Sequence, residues 1–469
     1  MNLADTIAAI ASPPGMGAVA LIRISGPGSR DAIEKIFKAA GTSQSQASLN
    51  HQKVVFGHVM DADEVVDEVL MTWFKAPHSY SGDDVAEISC HGSVYIQERI
   101  MKLLLSSGVR LAEPGEFTFR AFMNGKMDLA QAEAVADLIA STSRHQHQFA
   151  LKQMRGGISD KLKELRDKLV DFASLLELEL DFSQEDVAFA DRSSFLALLK
   201  EIKSEVIRLM ESFSTGNALK RGIPVAITGR PNAGKSTLLN AILDEEKAIV
   251  SEIPGTTRDA IEDTIIIGDI PFRFIDTAGL RDNPESIEAM GIEKTLEKIA
   301  QAEVVLYLFD IATTGIDEVK EELASLSVRL GSIIPEADLE NKKFILVANK
   351  IDQLVEIPHH FRDYAEMEVV FISAKRHENL ADLTDALIKT VDASALQEQL
   401  VVTNLRHYEA LQESRLALEE AGSALESLLP TDLVAVDIRK ALYFLGLITG
   451  EISTEELLGN IFGKFCIGK

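Results

Sequence analysis

Three patterns of apolar and polar residues follow one another along the chain. Residues 1 to about 118 mix short alternating segments, which predict β-strands, with segments of helical spacing. The predicted strands are Ala18 to Ile24, Lys53 to Val59, Val66 to Phe74 and Val85 to Ser89, and the predicted helices lie near Asp31 to Ala39 and Tyr95 to Leu105. This mixture predicts a compact α+β domain.

Helical spacing dominates two later stretches. From about Leu129 to Ser214 apolar residues recur with charged residues between them, as at Leu162, Leu165, Leu169 and Phe172. The same spacing returns from about Leu400 to Leu458. The simplest arrangement is one helical domain built from two separated segments, with another domain inserted between them.

The inserted segment opens with a complete phosphate-binding motif. The run Gly229-Arg-Pro-Asn-Ala-Gly-Lys-Ser236 follows the strand candidate Ile223 to Thr228 and precedes the helix candidate Thr237 to Leu243. Glycines let backbone N–H groups surround phosphates, and the helix N-terminus adds the positive end of its dipole. We expect Lys235 to reach the β- and γ-phosphates and Ser236 to bind Mg²⁺.

A second motif follows the strand candidate Pro271 to Ile275. In Asp276-Thr277-Ala278-Gly279 the carboxylate can hold the water shell of Mg²⁺, and the amide of Gly279 can face the γ-phosphate.

Two further motifs select the base. Asn349-Lys350-Ile-Asp352 follows the strand pattern Phe344 to Val347, and Ser373-Ala374-Lys375 follows Val369 to Ile372. The carboxylate of Asp352 can accept hydrogen bonds from N1 and the 2-amino group of guanine, which adenine does not offer. Four such motifs at strand ends predict a doubly wound, mostly parallel sheet that binds GTP.

The residues around these motifs leave the route of hydrolysis open. Ras-type enzymes orient water with a Gln just after the Asp-x-x-Gly segment, whereas Leu280 stands here. Glu285 and Glu288 are candidates for that role or are ordinary surface carboxylates. Asn232 can help to bind a monovalent cation beside the phosphates.

Length and composition bound the rest of the chain. Its 469 residues imply about three domains. No apolar stretch is long enough to span a bilayer and the start lacks a secretion signal, so we expect a cytoplasmic protein. The two cysteines cannot form a disulfide framework.

The net charge of -26 argues against a protein that binds nucleic acid simply by clamping phosphates with clustered Lys and Arg. If RNA is the substrate, a basic partner would hold most of it.

Several segments together resemble the MnmE (TrmE) family of tRNA modification GTPases. In the inserted domain they are the phosphate-binding run, Pro254-Gly-Thr-Thr-Arg-Asp259 and Asp276-Thr-Ala-Gly-Leu-Arg281. Elsewhere they are Asp5-Thr-Ile, Ser12-Pro-Pro-Gly15, Leu21-Ile-Arg-Ile-Ser-Gly26, Pro114-Gly-Glu-Phe117, Asn124-Gly-Lys-Met-Asp-Leu-Ala-Gln-Ala-Glu133 and Phe465-Cys-Ile-Gly-Lys469. The resemblance therefore runs along the whole chain.

The resemblance implies a three-part protein of the multidomain α/β and α class. Residues 1–118 would form an N-terminal folate-binding and dimerisation domain, and residues 119–218 with 384–469 a discontinuous helical bundle. Residues 219–383 would form an inserted Ras-like P-loop GTPase domain. A homodimer would combine with an FAD-dependent partner of the MnmG type as a heterotetramer. With a 5-formyl or 5,10-methylene tetrahydrofolate derivative, it would convert C5 of the wobble uridine (position 34) of certain tRNAs to aminomethyl or carboxymethylaminomethyl derivatives.

The resemblance also implies the nucleotide and metal contacts. Catalysis would use Lys235 and the water-orienting Glu288. Mg²⁺ would be bound by Ser236 and Thr257, and K⁺ by Asn232 with Ser251, Ile253 and Thr256. The remaining GTP contacts would come from Ala233, Gly234, Thr237, Glu252, Pro254, Gly255, Asp276, Thr277, Ala278, Gly279, Asn349, Lys350, Asp352, Ser373 and Ala374.

Folate would be bound by residues from both ends of the sequence. Arg23, Glu87 and Lys126 fall at the family's folate-contacting positions, and Lys469 completes the set. A carboxylate can accept hydrogen bonds from pterin N–H groups, and cations can meet the glutamate tail. Cys466 is either a catalytic nucleophile or a structural residue, because the sequence does not show what would lower its pKa. Cys90 is expected to be a packed thiol.

Two other functions fit parts of this pattern. One is a regulatory GTPase switch in ribosome assembly, which would normally carry a basic RNA-binding appendage. The other is a stand-alone folate enzyme that GTP merely regulates.

Overall fold

The structure is a computed structural model that describes residues 3–40, 50–181, 192–245, 263–275, 291–356, 368–391, 401–427 and 429–469. The strands are β1 Ile7–Ile10, β2 Val19–Ser25, β3 Phe37–Ala39, β4 Val54–Asp61, β5 Glu64–Phe74, β6 Val85–His91, β7 Arg110–Leu111, β8 Ile223–Gly229, β9 Asp263–Ile267, β10 Ile270–Phe274, β11 Val304–Asp310, β12 Lys343–Asn349 and β13 Val369–Phe371. The helices are α1 Ser29–Ile36, α2 Val94–Ser106, α3 Glu116–Met123, α4 Leu129–Ala140, α5 Arg144–Met154, α6 Gly157–Asp181, α7 Arg192–Glu211, α8 Phe213–Arg221, α9 Lys235–Glu245, α10 Gly291–Gln301, α11 Ile316–Gly331, α12 Glu336–Asn341, α13 Leu380–Lys389, α14 Leu405–Glu426, α15 Thr431–Thr449 and α16 Glu455–Phe462.

One compact unit comprises Met1–Ala140, Ala150–Ile202 and Glu413–Lys469. Its seven-stranded sheet has the order β3-β4-β5-β6-β2-β1-β7, in which only the pairing of β1 with β7 is parallel. Helices α1 and α2 pack on one face of this mainly antiparallel sheet, which is the α+β class that the N-terminal pattern predicts.

The two faces of this sheet differ because side chains alternate along each strand. Ile22 and Ile24 of β2 are fully buried in a core that also contains Ile33 of α1 and Ile100 of α2. Arg23, between the two isoleucines, therefore lies on the opposite face. Its register partner across β2 and β6 is Glu87.

The first helix ends earlier than its periodicity predicts. The pattern extends it to Ala39, whereas α1 ends at Ile36 and Phe37–Ala39 pair with β4 as a strand. The reason is a cross-strand contact: a Cβ at Gly57 would lie 2.6 Å from the ring of Phe37. Only glycine allows the aromatic ring to pack against β4 in this register.

The helical part of this unit is formed by residues far apart in sequence. Helix α6 packs along α15. The predicted stripe on α6 is confirmed as core, since Leu162, Leu169 and Phe172 are at most 1% exposed. A second cluster joins α4 to α16 through Leu129 and Phe462.

A buried carboxylate holds α3 against the sheet of the same unit. Glu116 accepts hydrogen bonds from Arg110 at 2.8 and 2.6 Å and from Arg120 at 3.0 Å. The side chains of Glu116 and Arg120 are both 0% exposed. Burial alone would raise the pKa of Glu116, but the hydrogen bonds from Arg110 and the other donors outweigh it and hold that pKa below its ordinary value.

The second compact unit comprises Ser141–Phe149 and Lys203–Gln412. Its six-stranded sheet has the order β13-β12-β11-β8-β10-β9, and only β9 is antiparallel to its neighbour. The inner strands are continuous apolar runs, and Val305, Leu306 and Val347 are 0% exposed. This is the doubly wound α/β architecture that the four loop motifs predict.

The predicted boundaries of three domains near residues 118, 218 and 383 stay predictions. The structure separates into two compact units, whose limits do not test those boundaries. Among the described residues, no helix has both the length and the apolarity needed to cross a bilayer.

We predict that Glu116→Ala lowers the free energy of unfolding of the first unit by about 3–5 kcal/mol, because it removes the shared buried acceptor of two guanidinium groups. The measurement is urea unfolding followed by the fluorescence of Trp73, the chain's one tryptophan, which is 3% exposed in the core of this sheet. The folded pKa of Glu116 lies below its ordinary value of 4.5, so its stabilisation is complete above that pH and is lost as the pH falls.

The matched control is Glu34→Ala. Glu34 pairs with Arg30 at 2.8 Å on an exposed face of α1, and we expect its removal to cost less than about 1 kcal/mol. Equal losses in the two variants would show that burial of the Glu116 pair contributes nothing.

Candidate functional site

The phosphate-binding motif joins β8 to α9 as a loop with three left-handed residues. Gly229, Asn232 and Gly234 have φ of 133°, 60° and 99°. A Cβ at Gly234 would lie 2.5 Å from Nδ2 of Asn349, so backbone conformation and space both require glycine there. The loop leads directly into the N-terminus of α9, where backbone dipoles favour an anion.

Lys235 lies across this loop. Its Nζ donates hydrogen bonds to the carbonyl oxygens of Gly229 and Arg230, both at 2.9 Å. Burial lowers the pKa of Lys235, because a charged ammonium group loses hydration there. A phosphate bound in the loop would raise the pKa of Lys235 again, because its negative charge stabilises the ammonium group. Ser236 and Thr237 follow in the first turn of α9, and Ala233 is buried beneath the loop.

Asn349 connects three loops through one buried amide. It ends β12 and is 3% exposed. Its Nδ2 donates to the carbonyl of Ala233 at 2.8 Å, and its Oδ1 accepts from the backbone amides of Lys350 at 2.8 Å and Ala374 at 3.0 Å. The phosphate-binding loop and both base-selecting loops are therefore fixed to one side chain.

The carboxylate predicted to bind guanine is oriented by the last of these loops. Oδ1 of Asp352 accepts a hydrogen bond from Oγ of Ser373 at 2.7 Å, and Ser373 is fully buried. This hydrogen bond, together with more distant cations including Arg376, holds the pKa of Asp352 below its ordinary value. The side chain therefore stays an acceptor-only carboxylate, as recognition of two N–H groups requires.

Three ion pairs near the loops were not predicted from the sequence. Nζ of Lys350, whose φ is 69°, lies 2.8 Å from Oδ2 of Asp310 on the neighbouring strand β11. Arg230 of the phosphate-binding loop contacts Glu322 at 2.6 Å and Glu318 at 2.8 Å, both on α11. The apolar residues of Val304–Asp310 could have indicated the strand β11. The ion pairs could not be predicted, because they depend on which strands and helices become neighbours in the fold.

Part of the predicted nucleotide site lies outside the described residues. This part comprises Ser251, Glu252, Ile253, Pro254, Gly255, Thr256, Thr257, Asp276, Thr277, Ala278, Gly279 and Glu288. The roles assigned to these residues stay predictions.

A second cluster lies on the face of the N-terminal sheet opposite to α1 and α2. Nε of Arg23 donates to Oε1 of Glu87 at 2.8 Å. The guanidinium carbon of Arg23 lies 5.2 Å from the centroid of the Tyr80 ring and 5.7 Å from that of Phe117. The hydroxyl of Tyr80 is paired with Thr118 at 2.8 Å, and burial raises the pKa of Tyr80.

The segment Phe465–Lys469 completes this cluster. The carbonyl of Gly468 accepts a hydrogen bond from Nη1 of Arg23 at 3.2 Å, and Nζ of Lys469 lies 5.8 Å from the centroid of Tyr80. Burial, and then repulsion from Arg23, lowers the pKa of Lys469. Gly468 has φ of 98°, and a Cβ there would lie 2.7 Å from the carbonyl oxygen of Ile10, so glycine is needed for this approach.

Three other predicted residues are placed as follows. Lys126 donates to the carbonyl of Pro77 at 3.0 Å, and no hydrogen bond or ion pair of the described residues joins it to Arg23, Glu87 or Lys469. Cys466 is exposed. Cys90 is buried, as expected, and burial raises the pKa of its thiol to about 11, which disfavours the thiolate.

The sequence did not identify Tyr80 and Phe117 as neighbours of Arg23. Phe117 lies in the segment Pro114–Phe117 that carries part of the family resemblance, which was the only signal. The two cations, the carboxylate and the half-buried ring of Tyr80 form one polar cluster of mixed charge. The phosphate-binding loop fits a nucleotide and its magnesium ion.

Comparison with known proteins covers the whole chain. A family model described as GTP-binding protein TrmE N-terminus matches residues 6–126, and one described as MnmE helical domain matches residues 129–466. A tRNA modification GTPase MnmE from Cytophaga hutchinsonii is 50% identical over 100% of this chain and 98% of the relative. Proteins of the same name from Flavobacterium psychrophilum and Bacteroides fragilis are 49% and 47% identical, each over 99% of both chains.

The relative from Cytophaga hutchinsonii aligns with the whole chain, so both predicted binding regions fall within the matched sequence. The chain belongs to the MnmE (TrmE) family of tRNA modification GTPases.

Proposed function

We propose that this chain is a K⁺-dependent GTPase that uses a tetrahydrofolate one-carbon donor and an FAD-dependent partner to modify C5 of the wobble uridine of certain tRNAs. As a member of its family, the chain is a GTP hydrolase that acts in tRNA modification. One observation supports the finer proposal most directly: a single chain carries both the loops joined by Asn349 and the cluster around Arg23. A simple nucleotide switch does not require the second cluster.

In the nucleotide site, the chain's own groups bind and orient GTP. The amides of the Gly229–Ser236 loop and the charge of Lys235 surround the phosphates, while Asp352 accepts hydrogen bonds from the guanine edge. Asn349 keeps the phosphate and base ends of the site at a fixed separation, because it bonds to both. This pre-organisation lowers the entropy cost of placing the reacting γ-phosphate.

The two metal ions would sit on the phosphate side. Ser236, in the first turn of α9, would bind Mg²⁺, with Thr257 as the second protein ligand. Asn232 is exposed in a left-handed conformation, which suits a side-chain ligand for K⁺. A K⁺ ion there would stabilise charge that develops in the transition state, and Glu288 would orient the water. Equal GTP turnover in KCl and NaCl would contradict the role of K⁺.

In the N-terminal cluster we propose a folate site. Glu87 would accept hydrogen bonds from pterin N–H groups, the ring of Tyr80 would line its flat face, and Arg23 and Lys469 would meet the anionic tail. Lys126 would act on a more distant part of the ligand. Cys466 is exposed and interacts electrostatically with Lys469, and we assign it no chemical step.

The wider assembly is part of the same proposal. A homodimer would bind the FAD-dependent partner as a heterotetramer in the cytoplasm, and tRNA would be its substrate. GTP hydrolysis would open and close paired GTPase domains and so time the modification.

The direct test is mass spectrometry of tRNA nucleosides from cells without this chain. We expect loss of the C5-aminomethyl-type wobble uridines, restored by the wild-type gene and by the surface variant Lys200→Ala, and not by Lys235→Ala. A nucleoside profile unchanged by the deletion, with no redundant enzyme present, would favour a ribosome-assembly switch instead.

A second prediction concerns the base. Asp352→Asn replaces one acceptor with an N–H donor, so the side chain then matches xanthine, which carries a carbonyl in place of the 2-amino group. We expect GTP affinity to fall about 100-fold and xanthosine triphosphate to bind better than GTP, since hydrogen bonds to charged groups are worth about 1.5–3 kcal/mol. The measurement is competition with a fluorescent nucleotide.

The matched control is Asp382→Asn, an exposed isosteric change in the first turn of α13, which should leave both affinities unchanged. If Asp352→Asn still prefers GTP, another group reads the base.

A third prediction concerns the cluster at Arg23. Lys469→Gln should weaken binding of 5-formyltetrahydrofolate at least tenfold in calorimetry, because it removes a partly desolvated charge. Lys464→Gln, an exposed change just before the segment Phe465–Lys469, is the control and should have no effect. Equal affinities for the two variants would place the folate tail elsewhere, and GTP turnover without tRNA should be normal in both.

A further inference from the structure

Two backbone carbonyl groups hold the ammonium group of Lys235 in the phosphate-binding loop. They belong to Gly229 and Arg230, and each accepts a hydrogen bond of 2.9 Å from Nζ. Gly229 is the last residue of β8 and pairs with Leu308 of β11, so the sheet fixes its position. Arg230 lies one residue beyond the strand, and its position therefore depends on contacts outside the sheet.

The side chain of Arg230 is bound by two carboxylates of helix α11. Its Nε donates a hydrogen bond to Oε1 of Glu322 at 2.7 Å. Its Nη2 lies 2.6 Å from the same oxygen and 2.8 Å from Oε2 of Glu318. Glu318 and Glu322 are four residues apart, so both lie on the same side of the helix. One guanidinium group thus joins the phosphate-binding loop to α11.

A buried tyrosine binds the other oxygen of Glu322. Tyr307 of β11 is 5% exposed, and its hydroxyl group donates a hydrogen bond to Oε2 of Glu322. Burial, and then this hydrogen bond, raises the pKa of Tyr307. Burial alone would raise the pKa of Glu322, but the hydrogen bonds from Arg230 and Tyr307 hold it below its ordinary value. The tyrosine therefore remains a donor and the glutamate an acceptor, and we call Tyr307, Glu322 and Arg230 the loop bridge.

The geometry of the loop bridge distinguishes it from an ordinary surface ion pair. An exposed pair contributes little, because two long side chains must be ordered in water. In the loop bridge the side chain of Arg230 is 33% exposed, and both oxygens of Glu322 are bound by different partners. Charge-assisted hydrogen bonds are directional, so this carboxylate has few orientations open to it. The bridge therefore restricts the position of Arg230 more than it adds to stability.

We propose that the loop bridge is a positioning element of the GTPase site, which holds the carbonyl group of Arg230 where it accepts a hydrogen bond from Lys235. Arg230 touches no phosphate in this role and acts through Lys235, whose ammonium group would bind the β- and γ-phosphates. A loop that is ordered in advance lowers the entropy cost of bringing the ammonium group and the phosphates together. The inference rests on the proposed nucleotide site, and it requires neither tRNA nor folate.

The test compares Arg230→Gln and Glu322→Gln in the full-length chain. GTP and inosine triphosphate compete with a fluorescent nucleotide, and inosine lacks the 2-amino group that Asp352 would bind. We expect both affinities to fall about tenfold in Arg230→Gln, because a misplaced ammonium group loses charge-assisted hydrogen bonds to phosphate. The loss should be smaller in Glu322→Gln, because Glu318 remains. The preference for GTP over inosine triphosphate should change less than about twofold, since the base contact lies on another loop.

Two further variants test whether the residues act as a unit. Members of one hydrogen-bonded network are not additive, so Arg230→Gln/Glu322→Gln should bind GTP as Arg230→Gln does. Arg230→Lys should restore part of the affinity, because lysine keeps the charge without the planar fork. Glu322→Gln is nearly isosteric, so the comparison stays decisive if Arg230→Gln does not fold.

The matched controls lie on the same helix. Arg329→Gln and Glu321→Gln remove the same charges from exposed positions of α11. Both should bind GTP and inosine triphosphate as the wild type does.

The proposal fails if Arg230→Gln binds GTP as well as Arg329→Gln does, or if the losses add in the double variant. It also fails if the preference for GTP over inosine triphosphate falls together with affinity, because the bridge would then support the whole unit rather than the phosphate side. Lys235→Ala separates these results from failure of the proposed nucleotide site. Normal GTP binding by Lys235→Ala would remove the role of that lysine, whereas a loss there with none in Arg230→Gln would refute only the loop bridge.

Discussion

The nucleotide site depends on the buried amide of Asn349. Its three hydrogen bonds fix the phosphate-binding loop, its own loop and the loop of Ala374 to one another. No other side chain type of that size offers a donor and a two-fold acceptor in one plane. Removing it would leave buried backbone groups without partners, so the same residue serves stability and ligand geometry. Gly234 completes the arrangement, because any side chain there would displace the amide.

The N-terminal cluster is organised by sheet register rather than by a local motif. Arg23 and Glu87 meet because β2 and β6 pair with those residues opposite each other. A shift of one residue would turn Arg23 into the core and expose Ile22. The buried Glu116, which joins Arg110 to Arg120, lies next to Phe117 in sequence and so helps to hold the aromatic side of the cluster.

Much of the fold could be predicted from the sequence, and the reasons for the gaps are physical. The loop Gly229–Ser236 is a local motif whose residue types the chemistry dictates, so its place between β8 and α9 was foreseen. Four of the seven N-terminal strands, β2, β4, β5 and β6, were predicted to within two residues because their alternation is regular. The other three, β1, β3 and β7, have at most four residues and were not predicted. The contacts of Arg230 with Glu318 and Glu322 were not foreseen, because they depend on how α11 packs on the sheet. The contact of Tyr80 with Arg23 was missed because it too depends on tertiary packing. The predicted end of α1 was wrong because Phe37 packs against Gly57.

The hydrogen bond between Arg23 and Gly468 joins residues 445 positions apart. During synthesis at about 5–20 residues per second, roughly 20–90 seconds separate the two residues. During that interval the sheet can form and Arg23 can pair with Glu87, but the cluster still lacks the segment Phe465–Lys469. Contacts of such sequence separation form late, since the entropy of closing the long loop must be overcome first. A nascent chain therefore completes its GTPase unit before it completes the N-terminal cluster, which orders the two sites in time.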